Sequence, residues 1–276
     1  MIALDLDRTT LDYQGRLSEE NRKALQEAIK LGIVVVPASG RPLSSFPHEI
    51  LELRGVKYLI TSNGAAVYRR DQGKNTCLRR FLLQPEAVRR ILELTKDAGV
   101  TYETFVRGKA YAEEAYVKNP TAFGALSHAV PYIRKTRIPV RDIRSFLREH
   151  QEELDSLDVI VDNQKKKREL MEKIQRQCPG IYLTTSVEQL IEISDQRAGK
   201  HSAVRYLQEL LGIEAGETAA FGDGDNDAGM LEEAGIGIAV SNATQKCRES
   251  ADRMTGSCEQ DGVAHAVRKL LKDMGQ

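Results

Sequence analysis

Two acidic clusters near opposite ends of the chain carry the residues most able to do chemistry. Asp5-Leu6-Asp7-Arg8-Thr9 follows a short apolar run at one end, and Gly222-Asp223-Gly224-Asp225-Asn226-Asp227 follows another near the other. Acids just past the ends of apolar strands are costly for a fold unless they hold a cation or react. On extended chain Asp5 and Asp7 project to the same side, since strand side chains alternate with a period of 2. Their charges repel, which raises one pKa unless a cation sits between them. A parallel sheet that brings residues 223–227 alongside Asp5 would assemble three or four carboxylates with no His or Cys beside them. That is a hard oxygen set suited to Mg2+. A lone D-x-D is explained equally well as turn and helix-cap acids, so further residues must decide. Ser39-Gly40-Arg41 places a hydroxyl and backbone N–H groups at the end of a β-branched run, where a phosphate could sit. Lys200 opens a helix, where the positive dipole end disfavours a cation unless an anion stands beside it.

The elements that must position these residues are readable from periodicity. Apolar residues at helical spacing over 18–31, ended by Gly32, lie between an apolar start at 2–4 and the run 33–36, forming a β-α-β unit. A strand at 57–61 leads into Ser62-Asn63-Gly64, whose Asn-Gly pair predicts a hairpin to 65–69. The C-terminal third repeats the alternation, with strands at 190–193, 218–221 and 236–240 and helices at 200–211 and 227–234. Both ends therefore predict a single parallel α/β sheet. The middle places helices at 85–98, 141–152 and 164–177 among strands at 100–106, 109–113, 157–161 and 181–184, an α+β insertion.

Composition excludes several classes. Forty basic residues balance forty acidic ones, so no net field recruits nucleic acid or a membrane surface. The Lys-rich run at 164–168 reads as a solvated helix face. Four scattered cysteines without zinc spacing predict free thiols in a reducing compartment. No apolar segment approaches the ~18 residues of a membrane span, and since Met1 leads straight into an expected strand, no secretory signal is expected. A cytoplasmic protein is expected, a monomer or small homo-oligomer whose partner is a small molecule. Gly222-x-Gly224 lacks the third glycine of a dinucleotide fingerprint.

Taken in order, these pieces resemble the four motifs of the haloacid dehalogenase (HAD) superfamily. Asp5 to Thr9 looks like the first motif, Ala38-Ser39-Gly40-Arg41 the second, Lys200 the third and Gly222 to Asp227 the fourth. Ser62-Asn63-Gly64-Ala65, Val240-Ser241-Asn242-Ala243 and Asp261-Gly262-Val263-Ala264 narrow the resemblance to the Cof-like subfamily with a type IIB cap. The resemblance implies a fold of α/β class, a Rossmann-like parallel sheet core (1–81 and 187–276) with an inserted α+β cap domain (82–186). It implies a Mg2+-dependent phosphomonoester hydrolase, with Asp5 as nucleophile and Asp7 as general acid and base. Mg2+ would lie on the carboxylates of Asp5 and Asp223 and the Asp7 backbone carbonyl, with Asp227 supporting its waters. Thr9, Ser39, Gly40, Asn226 and Lys200 form the implied phosphate-binding set. Cap loops would choose a small phosphorylated metabolite, for which Arg107 and Lys109 are the candidates. A sugar phosphate is expected; a flavin mononucleotide or pyridoxal phosphate phosphatase, a phosphosugar mutase and a non-catalytic phosphate sensor are the alternatives. The chain departs from the family at Arg8 and His201, where Gly is usual, at Thr10, where an apolar residue is usual, and at Ser257, where Asn is common.

Overall fold

A computed structural model describes residues 1–275. The chain first forms β1 (Ile2–Asp5), β2 (Val35–Ala38), β3 (Tyr58–Thr61), β4 (Ala66–Asp71) and β5 (Lys74–Arg80). It then forms β6 (Thr101–Val106), β7 (Lys109–Glu113), β8 (Arg137–Val140), β9 (Leu154–Ile160), β10 (Ile181–Thr184) and β11 (Leu190–Asp195). It returns with β12 (Ala219–Gly222), β13 (Ile236–Val240) and β14 (Arg253–Thr255). The first and last groups make one eight-stranded sheet of order β14-β13-β12-β1-β2-β3-β4-β5, and the middle group makes a six-stranded sheet of order β10-β11-β9-β6-β7-β8. Each sheet belongs to its own compact unit, the first spanning 1–40, 46–79 and 199–275 and the second 41–45 and 80–198.

In the first unit, β14 through β3 run parallel, and β4 turns back on β3 as the sequence predicts. Parallel strands buried on both faces need continuous apolar runs, and β1, β2, β12 and most of β13 are buried throughout. The helix Glu19–Lys30 is capped by the Ser18 hydroxyl, which accepts from Asn21 N. Asn21 itself is buried, donating to Thr10 O and accepting from Ala264 N, so it ties the first acidic loop to the helix Gly262–Asp273.

In the second unit the sheet is antiparallel except for β7 and β8, which are parallel. One face packs Tyr102, Leu157, Val159, Ile191 and Ile193 against the helices Pro85–Leu94, Ile143–Glu149 and Gln164–Gln177. Two expectations change here. The strand near 190 was assigned to the parallel sheet, but β11 pairs antiparallel with β9 and β10. The expected junction at 186 thus lies within the second unit's sheet, and the units divide after Ala198. Lys167, expected on a solvated face, is buried, its ammonium donating to Thr185 Oγ1, Val187 O and Glu188 O at 2.5, 3.0 and 3.0 Å. A local charge count does not show that an ammonium will find three oxygens across the helix.

Candidate active site

β1 ends at Asp5 rather than continuing through Asp7. The chain then wraps the Leu6 carbonyl, which accepts from the N–H groups of Thr9, Thr10 and Leu11 at 3.4, 3.1 and 2.8 Å. Asp5 is consequently buried and Asp7 exposed, so strand alternation does not relate the two acids. The Thr10 hydroxyl donates to Asp5 O at 2.6 Å, which gives a polar residue a partner at a buried position. Arg8 has φ 62°, in the left-handed region that only glycine enters without penalty. That accounts for the family's usual glycine there, and Arg8 fits because its carbonyl accepts from Asn242 Nδ2 at 2.8 Å and its guanidinium lies 5.7 Å from the Tyr13 ring centre.

β12 lies directly beside β1, with Leu4 opposite Phe221, and so delivers the second acidic loop to the end of the first strand. Asp227 folds back over this loop. Its Oδ2 accepts from the N–H groups of Asp223 and Gly224 at 3.0 and 2.9 Å. A Cβ at Gly222 would fall 2.4 Å from Asp227 Cβ, and one at Gly224 would fall 2.5 Å from Asn226 Oδ1. The two glycines therefore make room for acidic-loop side chains, not for a pyrophosphate.

Lys200 joins the loops. It is 0% exposed, and its ammonium contacts Asp5 Oδ1 at 2.5 Å and Asp227 Oδ1 at 2.6 Å. Burial alone would lower its pKa, but Asp227 and Asp5 outweigh it and raise the value. Asp5, Asp223 and Asp227 each bring a carboxylate oxygen to within 4.8 Å of one another. Burial pushes the Asp5 pKa well above the carboxylate range, with Asp227 the next cause, opposed by Lys200. For the same leading reasons the Asp223 carboxyl is pushed up to about 7.

These residues fit a divalent cation. Fully ionised, the three carboxylates against one ammonium would carry a formal charge of −2, the repulsion that helps raise the Asp5 and Asp223 pKa values, and Asp5 Oδ2 is buried with no hydrogen-bond partner among the described residues. An all-oxygen set with an unused buried oxygen suits a hard ion.

The other expected residues divide into two groups. Ser39 is buried beyond β2, its N–H on Ile60 O and its carbonyl accepting from Asn63 N, with Gly40 following it. Asn226 is buried and donates to Asn63 Oδ1 at 2.9 Å. Thr9 was implied as a phosphate contact, but its hydroxyl donates to Asp223 Oδ1 at 3.2 Å, orienting that acid. Arg107 and Lys109 lie in the second unit, at the turn between β6 and β7, where Arg107 is paired with Glu153 at 2.6 Å.

Comparison with known proteins decides the family. Residues 2–267 match the haloacid dehalogenase-like hydrolase family. The chain belongs to that family. Phosphatase YwpJ of Bacillus subtilis is 29% identical over 98% of this chain and 99% of its own length. The 5-amino-6-(5-phospho-D-ribitylamino)uracil phosphatase YcsE of the same organism is 28% identical over 97% of this chain and 94% of its own. Among solved structures, a haloacid dehalogenase-like hydrolase from B. subtilis has a TM-score of 0.81 at 27% identity, covering 97% of this chain and 98% of that one. The protein is thus an enzyme of the HAD phosphatase class, with a Rossmann-like core and an inserted α+β unit.

Within this HAD hydrolase, sequence reasoning missed two side chains that organise the site. Asn63 was read as turn chemistry, yet its Oδ1 holds Asn226. Asn242 bridges Arg8 O and Cys258 N, at 2.8 and 3.0 Å, linking the first loop to the C-terminal segment. Both lie in the subfamily signatures quoted above, which were the available signal. His201 occupies space left by glycines: a Cβ at Gly199 or Gly229 would meet its ring at 2.3 or 3.2 Å. Burial holds its pKa below the usual histidine value. Ser257 forms a capping box with Gln260, a local role that does not need asparagine.

Proposed function

We propose that this enzyme is a Mg2+-dependent phosphomonoester hydrolase acting on a small soluble phosphate, with a sugar or polyol phosphate as the first substrate class to test. The observation that carries it is the buried Asp5–Lys200–Asp227 bridge, with Asp223 beside it and one Asp5 oxygen left unused. A phosphatase must bring an anionic nucleophile to an anionic phosphate, and this arrangement supplies fixed positive charge and a place for more. Asp5 and Asp223 would hold the ion directly, together with the Asp7 backbone carbonyl. Asp227 would act from behind them, since Lys200 and two backbone N–H groups occupy its oxygens. When bound, Mg2+ would offset the negative charge that gathers as the phosphoryl group transfers.

An Asp5 carboxylate oxygen attacks phosphorus as the ester P–O bond breaks, and Asp7 gives the leaving oxygen its proton. Asp7 then takes a proton from the water that attacks the aspartyl-phosphate, which restores Asp5 and releases inorganic phosphate. The exposure of Asp7 suits a group that must meet both substrate and water. Lys200, Ser39, the Gly40 N–H and Asn226 would bind the transferring oxygens, and Thr9 would hold Asp223 in place. Of the two basic residues at the β6–β7 turn, Lys109 is the better candidate for a second substrate group, because Arg107 is committed to Glu153. YcsE, named for a ribityl phosphate substrate, supports including polyol phosphates. The buried cysteines, present as free thiols, suit the cytoplasm.

The test is phosphate release from sugar, polyol, flavin and pyridoxal phosphates and p-nitrophenyl phosphate, with Mg2+ and with EDTA. Metal-dependent release is expected. Phosphoryl transfer between positions of a sugar without release would favour a mutase, and binding without either reaction would favour a sensor.

A further inference from the structure

The chain reverses between β3 and β4 through three residues with positive φ, Ser62 at 51°, Asn63 at 51° and Gly64 at 86°. Two adjacent non-glycine residues in the left-handed region carry a backbone penalty that a simple two-residue hairpin loop would not require at a serine. Strain of this kind persists only where the surroundings fix it. Here they do: Ser62 is 1% and Asn63 5% exposed, and a Cβ at Gly64 would lie 2.2 Å from Gly199 O.

Asn63 reaches three other segments of the first unit. Its N–H donates to Ser39 O at 3.1 Å, its carbonyl accepts from Gly199 N at 2.9 Å, and its Oδ1 accepts from Asn226 Nδ2 at 2.9 Å. Those segments carry Ser39, Lys200 and Asn226, three of the groups proposed above to hold the phosphoryl oxygens. The side-chain bond also orients the Asn226 carboxamide, whose Oδ1 lies so close to Gly224 that a Cβ there would fall 2.5 Å away. With one amide hydrogen on Asn63, the other is directed by the same plane and can donate to an anion.

We propose that Asn63 is a positioning residue for phosphoryl transfer, acting chiefly through Asn226. This rests on the phosphatase reading above. The left-handed backbone places the Asn63 acceptor where Asn226 needs it, and the two backbone bonds keep the Ser39 and Lys200 segments in register with that contact.

The test uses the full-length enzyme with Mg2+ and its best phosphate ester. Asn63→Gly keeps the positive φ accessible while deleting the acceptor. It is expected to lower kcat/KM by about 10- to 100-fold, the scale on which small misplacements act, with the thermal midpoint preserved. Asn63→Asp restores an acceptor that tolerates the same backbone and is expected to recover part of the loss. The deciding measurement is a double-mutant cycle with Asn226→Ala. If Asn63 acts through Asn226, Asn63→Gly has little further effect once Asn226 is gone. Effects that multiply independently, or an Asn63→Gly enzyme equal to the wild type, overturn the positioning role while leaving the phosphatase assignment standing. A wild-type enzyme that hydrolyses no ester overturns both.

Discussion

The two sheets bury acids in different ways. In the first unit the acids lie in loops beyond the ends of parallel strands, where Lys200 and loop N–H groups reach them and one Asp5 oxygen stays unsatisfied. In the second they lie within strands: Glu103 pairs in register with Asp158, and Asp158 with Glu192. Arg137 balances this row, meeting Glu103 through two hydrogen bonds at 2.9 and 2.7 Å, with both side chains largely buried. Burial raises the Asp158 pKa well above the ordinary range, with Glu103 and Glu192 adding to it. Loop acids can be left incompletely paired and open to a ligand. Strand acids are fixed by register and must be balanced by protein or by protons.

The largest break in this comparison comes from Asp5→Asn. It is expected to reduce phosphate release by at least ~10³-fold, since the proposed covalent route runs through the Asp5 carboxylate alone. The same variant should change thermal stability little, because the Asp5–Lys200 ion pair it loses is offset by relief of repulsion from Asp223 and Asp227, while Lys200 keeps Asp227 as a partner. Steady-state kinetics and calorimetry check the two halves.

In the second unit the dependence is on stability. Arg137→Met leaves Glu103 buried without its cation and is expected to cost about 3–5 kcal/mol, whereas pairing it with Glu103→Gln should return most of that loss. Denaturant unfolding of the single and double variants measures the difference; equal losses in both would refute the pairing account.

A smaller effect concerns pH. Because the folded Asp223 pKa is about 7, above its unfolded value, the folded protein holds that proton more tightly than the unfolded chain. Its contribution to stability is present at low pH and falls as pH rises from the ordinary carboxylate range through about 7. Metal-free protein should follow this slope, Asp223→Asn should flatten it, and Mg2+ should oppose it. Thermal midpoints across about pH 3–8, a window set by about one unit on either side of the shift, provide the check. The smallest change is Arg8→Gly, which should stabilise the enzyme by about 1 kcal/mol by relieving the left-handed residue. An unchanged or lower midpoint would mean that the contact with Tyr13 offsets that strain.

The parallel unit was the more legible of the two. Helix Lys200–Leu211 and strand Ile236–Val240 fall where periodicity places them, because apolar runs bounded by glycine and polar residues are local signals. β11 was misplaced because an apolar run of its length does not state which sheet it joins. β5, β8 and β14 were not predicted at all; β14 has only three residues, and every residue of β5 and β8 is exposed or only half-buried. At the site, the acids and Lys200 were identifiable from type and spacing. The bonds of Asn63, Asn242 and Lys167 were not, since each depends on oxygens or nitrogens supplied by residues distant in sequence.

The contact between Gly64 and Gly199 also bears on how this chain can vary. Every single-base missense change in a glycine codon produces a residue with a Cβ, and at position 64 that atom would meet backbone rather than a movable side chain. The position has no mild first mutation, so lineages carrying this loop should be trapped with glycine there unless the Gly199 backbone shifts at the same time.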